Sequence, residues 1–220
     1  SNVQRVSNYA VEFNINKYAT LDDAIGFTYQ QAGHEFYELT FPSADETWVF
    51  DITEGKWHKR KTYGSGRHEV QWSVYFDKKV LVGSALNGKI FELNLDTYDD
   101  DGAVIEHIRT AQIIENEEEA RLYHATLKLD IETGVGNSSS LNPLVQLDWT
   151  DNGGKTWSNP LYRELGAQGE YNEEVFFKQL GRSKHRVYRI THTDTTYFAL
   201  LGGYVEVHSG QKSVKDNPVE

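Results

Sequence analysis

Strict alternation of apolar and polar residues is the dominant pattern along this chain. It is clearest in the segment LKLDIE (127–132), where Leu127, Leu129 and Ile131 alternate with charged residues. The same period of two recurs in VQWSVYF (70–76) and VQLDW (145–149). A period of two is typical of a strand that buries one face and exposes the other. The pattern therefore predicts an all-β protein with these apolar sets facing a core, among them Val70, Trp72, Val74 and Phe76.

Two stretches each contain four short apolar segments joined by turn residues. In residues 25–61 the segments are IGFTYQQ, HEFYELTF, TWVFDI and KWHKRK, separated by AG, PSADE and TEG. In residues 70–110 they are VQWSVYF, KVLVGS, KIFELNL and AVIEHIRT, separated by DKK, ALNG and DTYDDDG. A four-stranded repeat of about 40 residues is typical of a β-propeller blade. We therefore expect four-stranded meanders arranged as in a propeller, and a helix start at TLDDA (20–24).

The pattern changes after Ala120, where the alternating segments become longer and less regular. This region is interpreted either as further blades or as a sandwich-like part. We predict one all-β unit over residues 1–220. Its parts are two blade-like meanders (20–114), a longer-stranded β region (115–208) and a polar tail (209–220).

Composition excludes several classes of function. The chain has 220 residues without Cys, so it has neither disulfides nor thiol nucleophiles. It has no Met, so the initiator is missing and we expect a trimmed or processed chain. Asp and Glu number 33 against 22 Lys and Arg, for a net charge of −11. Binding to nucleic acid through phosphate neutralisation needs an excess of basic residues, so bulk charge does not support it. No apolar run is long enough to span a bilayer.

The segment TDNGGKTW (150–157) has the residue spacing of an Asp-box turn. The residues that fit are Thr150, Asn152, Gly154, Thr156 and Trp157. Such a turn also occurs in sialidases, but an arginine triad and a Tyr nucleophile with an acid partner have no matching motifs here. Asn and Asp side chains in these turns bond neighbouring backbone groups. We therefore predict a structural turn that stabilises a hairpin.

The segment DTYDDDG (96–102) gathers four carboxylates at a predicted hairpin tip. Asp96, Asp99, Asp100 and Asp101 are oxygen ligands of the kind that calcium prefers, but the spacing is not that of a helix-loop-helix calcium site. A solvated hairpin tip is the favoured interpretation. The eight His residues are scattered without metal-ligand or Ser-His spacing. We predict no catalytic residues, no bound metal and no cofactor.

As an ordered set, several segments resemble the packaged-DNA stabilisation proteins (tail accessory factors) of short-tailed, Salmonella-type phages. They lie between about residues 7 and 208: DAIGFTYQQAGHEFYELTFPSADETWVFDITEGKWHKR (23–60), GRH (66–68), VLVGSALNGKIFELNLDTYDDDG (80–102), RLYHATLKLDIETGVG (121–136), PLVQLDWTDNGGKTWSNP (143–160) and GEYNEEVFFKQLGRSKHRVYRI (169–190). Family members are longer, so the resemblance implies that this chain is a C-terminal portion.

The resemblance implies a non-enzymatic virion tail protein, assembled in the host cytoplasm. Such proteins close the portal channel, stabilise the packaged DNA and provide a hub for the tail needle and tailspikes. The implied partners are other copies in a ring, with a hexamer expected, and the portal and adaptor ring proteins. DNA lies nearby without sequence-specific binding, and no membrane is involved.

Two other functions stay open at this point. One is a carbohydrate-binding or glycan-cleaving β-propeller, which needs a cleft with stacked Trp residues and a convergent acid pair. Trp48, Trp57 and Trp72 fall on inward positions of their predicted strands, which favours a core role instead. The other is a β-rich interaction module unrelated to phage.

Overall fold

The computed structural model describes residues 4–116 and 120–209 of the chain. These residues divide into two compact units, one on each side of the boundary between Ala103 and Val104. Most of the regular secondary structure in each unit is antiparallel strand. Of the predicted polar tail (209–220), all residues after Ser209 lie outside the described part. No helix in the described ranges is long and apolar enough to cross a membrane.

The first unit begins with a short helix and continues as a four-stranded meander. The helix α1 (Tyr9–Ile15) starts after Asn8, whose side-chain oxygen accepts a hydrogen bond from the Val11 N–H at 3.0 Å. The four strands pair in sequence order, and a short 3-10 turn (Pro42–Ala44) separates the second from the third. They are β1 (Ile25–Gln31), β2 (His34–Phe41), β3 (Glu46–Asp51) and β4 (Lys56–Arg60). The first predicted meander is therefore confirmed, whereas the helix lies earlier in the sequence than TLDDA.

A second, smaller sheet follows in the first unit. Its three strands also pair in order, and a two-stranded hairpin lies after them in the sequence. The strands are β5 (Val70–Phe76), β6 (Lys79–Ser84) and β7 (Ile90–Glu92), and the hairpin consists of β8 (Asp99–Asp100) and β9 (Ala103–Val104). Two clusters form the core of this unit. One contains Val11, Phe41 and Trp48, and the other contains Tyr29, Val70, Val80 and Val82.

The second unit is a sandwich of two antiparallel sheets. Its strands are β10 (His107–Thr110), β11 (Ile114–Glu115), β12 (Leu122–Ile131), β13 (Leu144–Thr150), β14 (Leu161–Glu164), β15 (Val175–Lys178), β16 (Arg182–Ser183), β17 (His185–His192) and β18 (Leu200–Ser209). One sheet has the order β10-β17-β13-β14, with β11 also on β17. In the other sheet β12 lies at the centre, with β15 and β16 on one side and β18 on the other.

One continuous core lies between the two sheets of the second unit. The inward residues of β12 are Leu127, Leu129 and Ile131, as the alternation predicts. Val145 and Leu147 of β13 are fully buried opposite them. Because side chains of both sheets contribute to one cluster, the longer-stranded region forms a β-sandwich.

The second predicted meander (70–110) is wrong in its last strand. Residues 107–110 form β10, which pairs with β17 of the second unit through His107↔His192 and the following residues. The acidic turn before it forms the hairpin β8–β9 and ends the small sheet at three strands. In the part of the chain described, the strands therefore do not close into a propeller.

The prediction that the alternating apolar residues of β5 face the core is also wrong beyond Val70. Trp72, Val74 and Phe76 are 57 %, 56 % and 68 % exposed. The buried face of this sheet carries Val80 and Val82 of β6, and their cross-strand partners are Tyr75 and Ser73. The Trp72 set therefore lies on the opposite, uncovered face of the sheet.

Candidate functional site

The residues of the predicted turn lie together directly after β13. Thr150 Oγ1 donates a hydrogen bond to Asn152 Oδ1 at 2.9 Å and accepts one from the Gly154 N–H at 3.0 Å. Asn152 Nδ2 donates to Thr156 Oγ1 at 2.7 Å, and Asn152 Oδ1 accepts the Thr156 N–H at 3.0 Å. Gly153 and Gly154 have φ of +70° and +89°, which favours glycine. The side chains of the turn therefore satisfy its own backbone and hold its shape.

Trp157, the last residue of the turn motif, lies under an arginine of β17. The guanidinium carbon of Arg189 is 3.8 Å from the centre of the Trp157 ring. Arg189 also pairs with Asp148 of β13, with Nε donating to Oδ1 at 2.9 Å. The indole thus contributes a cation–π contact that links the turn to two strands of one sheet.

A buried arginine anchors the turn from the interior. The Arg186 side chain is 3 % exposed, and its Nε and Nη2 donate to the two carboxylate oxygens of Asp151 at 2.7 Å each. Its Nη1 donates to the Leu180 carbonyl oxygen. The guanidinium carbon lies 5.0 Å from the centre of the Trp149 ring. Asp151 belongs to the turn and Arg186 to β17, so this ion pair fixes the turn against the sandwich.

Residues of the acidic turn make local contacts within the first unit. Asp99 Oδ1 accepts the Gly102 N–H at 2.8 Å, which closes the β8–β9 turn. Asp101 forms an ion pair with Lys89. The backbone N–H of Asp96 donates to Asn94 Oδ1 at 2.8 Å. Among the described residues, no three His, Asp or Glu side chains have an arrangement that could hold a metal ion.

A groove of about 970 Å³ lies in the first unit between the outer edges of β1 and β5. Thr28 to Gln31 line one side and Ser73 to Tyr75 the other. The two edges are joined where Ser73 Oγ donates to the Thr28 carbonyl oxygen at 2.9 Å. Sequence analysis missed this groove because it depends on how two separate sheets approach, and no local motif encodes that approach.

Comparison with known protein families finds a match for the second unit. Residues 106–208 match the family model described as Bacteriophage P22 Gp10, beta-sandwich. This region is therefore similar to that beta-sandwich family. The matched range contains β10 to β17 and nearly all of β18, and these are the strands of the two packed sheets. The resemblance noted in the sequence is therefore confirmed for this region, and for residues 7–105 it stays a prediction. A search of curated proteins finds no match for the chain.

The second unit holds a Ser–His contact that local spacing did not reveal. His124 Nε2 and Ser183 Oγ are 2.9 Å apart, and the two residues are only 1 % and 6 % exposed. Burial, and then the nearby Arg186 cation, lower the pKa of His124 to about 4. A nucleophile–base pair needs access to substrate and a base that accepts protons near neutral pH. The contact instead holds β12 to β16 inside the domain.

The three arginines of the segment GRSKHRVYR (181–189) do not form one basic surface of the domain. Arg182 lies on β16 and contacts the Tyr123 ring and hydroxyl. Arg186 and Arg189 lie on β17 and are each paired with an aspartate. The charges of Arg186 and Arg189 are therefore used to fix the turn after β13.

Proposed function

We propose that this chain is a non-enzymatic structural protein of the tail of a short-tailed phage. In this proposal it closes the portal channel, stabilises the packaged DNA and provides a hub for the tail needle and tailspikes. The observation that carries the proposal is the match of residues 106–208 to the Bacteriophage P22 Gp10 beta-sandwich family. The packed core and the buried, neutral His124 support a rigid structural role.

The charge of the chain suits a position beside packaged DNA. A net charge of −11 creates a negative field that repels phosphate, so DNA would slide past this protein during ejection. In the second unit, Arg186 and Arg189 are held by carboxylates and add no free basic patch. We therefore propose that DNA lies nearby without sequence-specific binding.

We propose that the partners are further copies of the chain in a ring of six, together with the portal and adaptor ring proteins, the tail needle and the tailspikes. The protein would join the virion tail during assembly in the host cytoplasm. The sheet β1-β2-β3-β4 is an antiparallel meander in strict sequence order, which is the topology of a propeller blade. We propose that this sheet is one blade of a propeller.

Binding to phage heads tests the proposal. DNA-filled heads assembled without this protein are mixed with the chain and sedimented, and the bound protein is quantified. We expect saturable binding with a fixed number of copies per head. Heads that already carry the protein are the control, because their sites are occupied. If the chain does not bind heads assembled without it but does bind a glycan array, the carbohydrate-binding alternative replaces this proposal.

A further inference from the structure

An uncovered apolar face lies on the small sheet of the first unit. It consists of Trp72, Val74, Phe76 and Ile90, and we call it the Trp72 face. Ile90 is 75 % exposed, and the register places it in one cross-strand row with Gly83 and Trp72. The Trp72 indole lies directly on Gly83, where a Cβ atom would be 2.0 Å from Nε1. The other side of the same sheet already covers the Val80 and Val82 core.

The size of the Trp72 face indicates that another surface covers it. Four large side chains more than half exposed leave on the order of 500 Å² of apolar surface open. Patches of that size on a soluble protein are commonly interaction sites. The face ends in the two-residue turn Asp77–Lys78, so Phe76 stands next to the tip of a hairpin.

A complementary recess lies in the second unit, which we call the β18 cleft. It lies between the edge strands β10 and β18, with a volume of about 260 Å³ and a largely apolar lining. The residues that line it include Arg109, Leu127, Ile190, Leu201 and Gly203. Leu201 at this cleft is 74 % exposed. Small-molecule sites have volumes of about 300 to 1,000 Å³, so this recess suits a single apolar side chain better than a ligand.

We propose that the Trp72 face of one copy docks at the β18 cleft of the next copy, with the Phe76 side chain in the cleft. This interface deepens the proposed ring and rests on that proposed function. Two different surfaces on one chain make a head-to-tail contact, which closes into a ring when the rotation fits. A two-fold dimer would instead need one self-complementary surface.

Area and charge both support a second copy as the occupant. The Trp72 face supplies over half of the about 800 Å² per partner that a stable interface buries. Asp77 follows Phe76 at the hairpin tip, and Arg109 lines the cleft. Docking of Phe76 in the cleft brings the tip residues Asp77 and Lys78 towards the Arg109 guanidinium, so charge favours the orientation in which Asp77 faces Arg109.

Two single variants and their mixture test the interface. Phe76→Ala removes the inserted side chain, and Gly203→Leu fills the cleft. A Cβ atom at Gly203 meets only ordinary contacts of 3.6 Å or more, so the backbone has room for a side chain there, and circular dichroism checks that the second variant folds. By analytical ultracentrifugation the wild-type chain should assemble between about 1 and 100 µM, and each variant should associate at least about 30-fold more weakly. The mixture should give heterodimers only, since it retains one intact interface.

The absence of native Cys allows a second, covalent test. The double variant Lys79→Cys with Arg109→Cys should form disulfide-linked ladders of several chains under oxidation. The matched control, Lys79→Cys with Lys155→Cys, should associate like the wild type but form no disulfide-linked ladder. An intramolecular link in the first variant, or a wild-type chain that stays monomeric to about 500 µM, overturns the interface.

Binding to heads separates this inference from the proposed function. If the wild-type chain assembles through these surfaces but does not bind DNA-filled heads, the proposed tail function is wrong and the interface stands. If the wild-type chain binds heads in several copies, and Phe76→Ala and Gly203→Leu bind equally well, the interface is wrong and the proposed function stands.

Discussion

Arg186 and Asp151 form a bidentate ion pair that joins the interior of the C-terminal sandwich to the turn after β13. Nε and Nη2 of the arginine each lie 2.7 Å from a carboxylate oxygen, and the arginine side chain is 3 % exposed. A buried cation is tolerated only when it is paired and hydrogen-bonded. The turn is therefore part of the electrostatic support of the domain, although it lies at the surface.

Replacing Asp151 by Ala should destabilise the domain, because the Arg186 charge is left buried without its counter-ion. The expected loss is about 2 to 3 kcal/mol, below the value for a fully buried pair because the Asp151 side chain is 42 % exposed. Urea unfolding followed by circular dichroism measures it. The control is Glu174→Gln, which breaks an exposed pair with Lys128 and should cost less than about 1 kcal/mol. Equal effects of the two variants would contradict this role of Arg186.

Asn152→Ala should weaken the turn, because the Asn152 side chain makes three hydrogen bonds, one to the Thr150 hydroxyl and two to the hydroxyl and the backbone N–H of Thr156. Because Asn152 is exposed and water can replace part of these bonds, the expected loss is about 1 to 3 kcal/mol. The matched control is Asn159→Ala, at an exposed position just after the turn, which should change stability by less than about 0.5 kcal/mol. A stable Asn152→Ala protein would show that the turn does not support the fold.

Substitution of two leucines on β13 distinguishes the contribution of core packing to stability from that of strand propensity. Leu147 is fully buried, so Leu147→Ala should cost about 2 to 5 kcal/mol through lost contacts and a residual cavity. Leu144 on the same strand is 39 % exposed, and Leu144→Ala should cost clearly less. The difference in the urea midpoint of the two variants measures the contribution of the core. Similar midpoints would contradict the described arrangement of the sandwich core.

Acid should destabilise the second unit before carboxylates titrate. Burial lowers the pKa of His107, His192 and His124, and for His124 the value is about 4 against an ordinary 6.5. The unfolded chain therefore binds protons first as the pH falls below 6.5. The free energy of unfolding should be highest above pH 6.5 and should fall as the pH is lowered towards 4. His124 should contribute up to about 3 kcal/mol of this loss. Urea unfolding at several pH values measures the decline.

The variant His124→Gln keeps a polar contact to Ser183 but does not titrate, so its stability should depend less on pH between 6.5 and 4. His208→Gln, at an exposed position of β18, controls for the loss of an imidazole. An unchanged pH dependence in His124→Gln would exclude His124 as a source of the acid sensitivity.

Alternation predicted the strands of the sandwich well, because each of them has a core on one side only. Leu127, Leu129 and Ile131 follow the period of two into the same cluster. The same rule failed for β5, where Trp72 and Phe76 follow the pattern but lie on the uncovered face. Apolar periodicity identifies a face that can be buried, but it does not show which surface covers it.

The turn after β13 was predictable because its hydrogen bonds are local, from Thr150 to Thr156. Its anchor was not, because Arg186 lies 35 residues after Asp151 and is brought to it by the pairing of β13 with β17. The helix at Tyr9–Ile15 was missed although Asn8 provides a cap, since the segment has no clear apolar period. The β10–β17 pairing was missed for the same reason as the Arg186 anchor, because sequence spacing does not reveal long-range partners.

A DNA-retention assay asks directly whether this chain stabilises packaged DNA. DNA-filled heads assembled without this protein are incubated with the chain. The DNA that leaks out and becomes sensitive to nuclease is measured over time. The Leu147→Ala variant, which has reduced stability, is the matched control. The wild-type chain should slow or stop the leakage. Leakage that continues unchanged while the chain is saturably bound to the heads would contradict it.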